Sequence, residues 1–127
     1  MARSGMKRVV AAGAVALGSV SFVAAAHHSA IEFDLRQQVP IKGIVKEFEP
    51  ANPHTKIVVT VTDEKGTRDV EFEGHSRNNY YRGGWREGLV NVGDEITLIV
   101  GPRVDGADGG YVHSVVTKDG VTRFGLR

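Results

Sequence analysis

The chain has 127 residues, no cysteine and a formal net charge of +1. That length suits one domain with a single core. The missing cysteines exclude disulfides, thiol nucleophiles and thiolate metal sites, so a metal would need histidine, carboxylate, amide oxygen or a free amine.

Arg3, Lys7 and Arg8 open the chain, Val9 to Val23 follows without a charge, and Ala24-Ala25-Ala26 closes the stretch. A basic start, an apolar middle and a small-residue end are the parts of a secretory signal peptide. The apolar run falls short of the roughly 20 residues that span a bilayer. Cleavage after Ala26 would divide the chain into a signal at 1–26 and a periplasmic domain at 27–127, with His27 as the new N-terminus. Cleavage after Ala25 would leave Ala26-His27-His28 instead. Processing removes three basic residues and no acidic one, so +1 becomes −2. A nearly neutral exported domain has little pull on nucleic acid or anionic lipid, and no stable membrane span is expected after processing.

In the remaining chain, Ile31, Phe33 and Leu35 are spaced by two, as in a short strand or an extended arm laid on the fold. Val39 to Phe48 reads as the first long strand. Val39, Ile41, Gly43 and Val45 lie on one face, with Ile44 and Phe48 on the other. Gly43 marks a bulge or a sharp bend. Pro50 and Pro53 stiffen the connection. Pro53 also disfavours helical geometry at Asn52, so the next strand enters through a bend that presents Asn52 and His54. From His54 to Thr62, Ile57, Val59 and Val61 alternate with Lys56, Val58, Thr60 and Thr62, the period of a half-buried strand. Asp63 to Gly66 turns the chain into a third strand, Arg68 to Glu73, with Val70 and Phe72 inward.

Ser76 to Arg82 is the one expected helix, with Ser76 as N-cap and Gly83-Gly84 as the stop. Trp85 and Leu89 offer apolar surface to plug one end of a barrel. Glu95 to Val100 is the fourth strand, Asp105 to Gly110 a mobile loop, and Tyr111 to Lys118 the fifth strand. Asp119-Gly120 turns into a short sixth strand, Val121 to Phe124. Three strands, a short helix, two strands and a closing hairpin give an all-β fold. The expected architecture is a small OB-like antiparallel barrel of five to six strands.

His27-His28-Ser29, Phe33-Asp34, Gly43-Ile44-Val45 and Asn52-Pro53-His54 stand in order along this chain. Phe72-Glu73, Gly84-Trp85, Gly93-Asp94, Asp105-Gly106 and Asp119-Gly120 follow. In that order and spacing the sequence resembles a family of small exported proteins of Gram-negative bacteria whose function is unknown. The resemblance covers essentially the whole domain after residue 26. It implies a periplasmic β-barrel and brings no activity with it.

Five histidines carry the candidate chemistry: His27, His28, His54, His75 and His113. Neutral imidazole is the usual ligand for copper or zinc. An N-terminal His27 could chelate with its amine and ring together. If Ala26 is retained, His28 stands third, and its imidazole, the amine and two backbone amides form a square-planar copper(II) or nickel(II) site. His54 at the strand mouth could add a ligand to either. The candidate metal ligands are therefore His27, His28 and His54, with copper the favoured ion. His75 and His113 read as a loop residue and a strand-face residue outside that site. The bland alternative is that a histidine beside a proline bend pins the arm through a backbone hydrogen bond.

No Gly-x-Ser-x-Gly elbow, phosphate loop or paired acid–base carboxylates appear, so the expectation is a non-catalytic binding or accessory domain. A second candidate surface is Tyr80, Tyr81, Trp85 and Arg86, with Asn52 at the bend. Such aromatic–basic clusters on OB barrels bind oligonucleotides or sugars. In an exported acidic domain an envelope polymer or partner protein is the more fitting ligand. Against it stands the reading that Trp85 and one tyrosine plug the barrel.

Overall fold

The computed structural model describes residues 31–125. Among the described residues these elements follow in chain order: β1 (Val39–Glu49), β2 (Thr55–Asp63), β3 (Gly66–Gly74), α1 (Arg77–Arg82), β4 (Glu95–Pro102), β5 (Gly110–Thr117) and β6 (Thr122–Gly125). They form one sheet in the order β3-β2-β1-β4-β5-β6, and β3 also pairs with β5. That last pairing closes β1 to β5 into a barrel and leaves β6 as an extra strand on β5. The expected OB-like barrel is therefore present, with one correction. The closing contact, Glu73 with Tyr111 and Gly74 with Val112, is parallel, so the barrel is mixed rather than wholly antiparallel.

The alternation in β2 follows the expected period. Thr55, Ile57, Val59 and Val61 are buried, and the residues between them are half-buried. β1 departs from simple alternation. Its register against β2 slips between Val45 and Glu47, which leaves Lys46 as a bulged residue. The slip reverses the face of everything after it. Phe48, expected opposite Val45, thus comes round to pack on the same core.

Gly43 does not itself form the bulge. It sits where β1 passes from pairing with β4 to pairing with β2. A Cβ on Gly43 would lie 2.8 Å from the Thr60 carbonyl oxygen and 3.1 Å from Val59 Cβ. The missing side chain is what lets the bent strand approach its neighbour so closely.

One end of the barrel is plugged from the helix side. α1 has six residues, too few to be stable alone, so packing must hold it. Ser76 caps it, its Oγ accepting from Asn79 N–H at 3.1 Å. Tyr80 then enters the core at 1% exposure, and Trp85 follows at 5%. Phe48 and Phe124 complete the plug, with ring centroids 6.2 Å (Phe48–Trp85), 5.9 Å (Phe48–Phe124) and 4.6 Å (Tyr80–Phe124) apart.

The segment before β1 behaves as a strap rather than a strand. Of Ile31, Phe33 and Leu35, Phe33 alone is buried. Phe33 bridges to Arg103, Asp34 N–H donates to the Pro102 carbonyl at 2.8 Å, and Val104 N–H donates to the Glu32 carbonyl at 2.9 Å. The 105–110 loop, expected to be mobile, is tied down by ion pairs from Arg103 to Asp105 and from Arg68 to Asp108. No helix among the described residues is long and apolar enough to cross a membrane.

Candidate functional site

The closing seam gathers chemistry that lies far apart in sequence. Thr55 pairs with Gly74, and Gly74 with Val112, so the start of β2, the end of β3 and the start of β5 meet at one corner. His54, His75 and His113 flank those residues, and Tyr111 stands among them.

β5 is irregular there. Ser114 faces Ile99 while Val112 faces Val100, so His113 is the additional residue of a bulge. A bulge re-aims a side chain. The His113 ring turns back over β4 at Gly101, where a Cβ would sit 3.1 Å from its Nε2 and 3.0 Å from the Asp34 carbonyl oxygen. Gly101 thereby admits both the strap and the imidazole.

His75 follows β3 directly and is only 8% exposed. Its Nδ1 is 2.9 Å from the Tyr111 hydroxyl. Its ring meets Tyr111 and Tyr80 edge-on, with centroids 4.9 Å and 5.6 Å apart. Burial drives its pKa down to about 4, and the neighbouring His113 and His54 push the same way. Burial raises the Tyr111 phenol, with Glu73 adding to the effect. At neutral pH this corner therefore holds a neutral imidazole hydrogen-bonded to a neutral phenol.

Three ring nitrogens here are buried without a hydrogen-bond partner: His54 Nδ1, His75 Nε2 and His113 Nε2. His54 Nδ1 lies 3.1 Å from Glu73 Oε1, an ion-pair distance, but outside hydrogen-bonding direction. A buried polar nitrogen without a partner is costly, and such groups mark sites that take another donor or acceptor. Among the described residues, however, no three His, Asp or Glu side chains are placed to enclose one metal ion.

The residues singled out from sequence divide as follows. His27 and His28 lie outside the described residues. His54 is at the corner. Asn52 is exposed, its peptide bond to Pro53 is cis, and its Oδ1 is 3.5 Å from Asn78 N. With the Ala51 carbonyl accepting from Arg77 N–H at 2.8 Å, the proline bend docks on the start of α1.

Tyr80 and Trp85 are core residues, and the Tyr80 hydroxyl donates to the Val112 carbonyl at 3.1 Å. Burial raises the Tyr80 phenol strongly. Tyr81 is 54% exposed, with the Arg86 guanidinium 3.9 Å from its ring centroid. The four members of the aromatic–basic cluster thus do not share a surface: two face the core and two face solvent.

His75 and His113 are a loop and a strand residue, as the sequence indicates, yet both stand at this corner and not outside the site, beside a Tyr111 that no local motif marks. Their juxtaposition arises from the parallel closure and the β5 bulge, neither of which leaves a local signal.

The family of unknown function DUF6152 matches residues 14–112, and the chain belongs to it. The match takes in β1 to β4, α1 and the first residues of β5. No curated protein and no solved structure matches.

Proposed function

We propose that this DUF6152 member is a periplasmic, non-catalytic binding domain that holds a transition-metal ion, copper above others, through imidazole. The corner supplies His54, with His75 and His113 beside it, and the chain ahead of the strap supplies His27 or His28. The observation that carries this reading is the strap. Phe33 lies against Tyr111, with ring centroids 6.0 Å apart, and Asp34 crosses Gly101 beside His113. His28 stands three residues before Ile31 in the sequence. The described residues do not complete a metal site by themselves, so the missing donors would come from that leading segment and its amine.

Three features support copper. Neutral imidazole is a good ligand for it, the chain has no thiolate to divert the site to other chemistry, and a free amine near its own pKa yields its proton easily. Export is supported by the N-terminal basic, apolar and small-residue pattern. The alternative, an envelope polymer or partner protein, retains only the exposed Tyr81–Arg86 stack.

Copper(II) titration of the processed protein, followed by electron paramagnetic resonance, tests the proposal. One equivalent should give a nitrogen-ligated spectrum that changes in His54→Ala and in His27→Ala or His28→Ala. No nitrogen coupling, or a spectrum indifferent to all three variants, removes the metal reading. Intact mass of the exported protein identifies which residue bears the amine.

A further inference from the structure

At the barrel mouth, away from the histidine corner, a cavity of about 210 Å³ opens between the β2–β3 hairpin and the 103–109 loop. Ile41, Val61, Val70, Phe72 and Pro102 give it an apolar floor. A dry cavity of about 150 Å³ already accommodates benzene, so the space suits an apolar group of that size. The rim is charged and centred on Arg68. Arg68 alternates in step with Val70 and Phe72, which places it on the barrel's inward side at the mouth.

Its guanidinium is shared between two carboxylates of different standing. Asp63 belongs to the same hairpin and accepts from Nη1 at 2.8 Å and Nη2 at 3.1 Å. Asp108 comes from the loop, 40 residues away in sequence, and makes a second fork on the other edge, Nε at 2.6 Å and Nη2 at 2.8 Å. A planar guanidinium fork is the side chain best matched to a carboxylate. Asp63 alone can balance the charge of Arg68. Asp108 therefore occupies the place an external carboxylate would take.

That contact is open to solvent. The Asp108 side chain is 45% exposed, so an external solute can reach its side of the guanidinium. Asp108 stands between Gly106 and Gly109, both at positive φ. The loop keeps its own tether when Asp108 lets go, because Asp105 binds Arg103 and accepts from Ala107 N–H.

We infer that the barrel mouth is a binding site for a small monocarboxylate, its carboxylate displacing Asp108 from Arg68 and its apolar part resting on the Val70–Phe72 floor. The site is independent of any metal.

The test is a titration of the processed full-length domain with hexanoate, and with hexan-1-ol as the uncharged counterpart, followed by amide shifts in NMR. Hexanoate should saturate at one equivalent with shifts centred on Val61, Val70 and Ala107, and hexan-1-ol should bind about tenfold more weakly or worse. Asp108→Asn removes the internal competitor and should tighten hexanoate binding about tenfold, a gain that misfolding cannot mimic. Arg68→Gln should abolish the preference for the acid. Absence of saturable binding, equal binding of the alcohol, or weaker binding in Asp108→Asn would overturn the inference.

Discussion

Acidification should selectively weaken the fold through His75. Its folded pKa is about 4 against an ordinary 6.5, because burial disfavours the imidazolium. Below pH 6.5 the unfolded chain takes up a proton that the folded chain refuses until pH 4. The stabilisation is therefore fully present above 6.5 and lost as pH falls towards 4. For one site with those two values, linkage gives a loss of about 2 kcal/mol by pH 5 and about 3 kcal/mol by pH 4. His54, His113, Tyr80 and Tyr111 surround the ring, and two of these neighbours are themselves histidines, so wild type alone does not isolate the effect. His75→Phe keeps an aromatic ring against Tyr80 and removes the titrating group. It gives up the Tyr111 hydrogen bond, which should cost about 1 kcal/mol at pH 7.5. Urea unfolding at half-unit steps from pH 7.5 to 4.5 supplies both stability curves. The wild-type curve should fall towards the variant's and cross it near pH 6. Parallel curves, separated by the same amount at every pH, would refute the assignment of a buried, neutral His75.

The other predictions concern packing. Gly43→Ala should cost about 1–3 kcal/mol, read as a lower urea midpoint at unchanged slope, because neither the Thr60 carbonyl nor Val59 can yield without disturbing a ladder. Trp85→Ala should cost about 3–5 kcal/mol by circular dichroism melts, whereas Tyr81→Ala should cost under about 1 kcal/mol. Equal costs would contradict the division of that cluster into core and surface. Tyr80→Phe should cost about 1 kcal/mol in the same melts, since it leaves the buried Val112 carbonyl without the phenol that it accepts from.

Local patterning carried most of the fold. The alternation of Ile57, Val59 and Val61, and of Ile96, Leu98 and Val100, requires strands with one apolar face. Ser76 with Gly83 frames a single helical turn or two, and Gly66 and Gly120 supply the tight turns. Each of these preferences is set by residues a few positions apart, so it can be read from the chain without knowing the partner. The strand order then follows the familiar logic of closing a small sheet to remove its edges.

The candidate site followed different rules. The slip at Lys46 turned Phe48 inward, and the extra residue at His113 swung an imidazole over Gly101. Both depend on which residue of another strand stands opposite. Tyr111 joins His75 because β3 and β5, separated by the helix and all of β4, run side by side for two residues. Arg68 meets Asp108 for a similar reason, at the other side of the barrel mouth. Strands, helix and turns can be read along the chain because near neighbours set them. Which imidazoles, phenols and carboxylates meet cannot, because barrel closure and register are settled by the packing of the whole core.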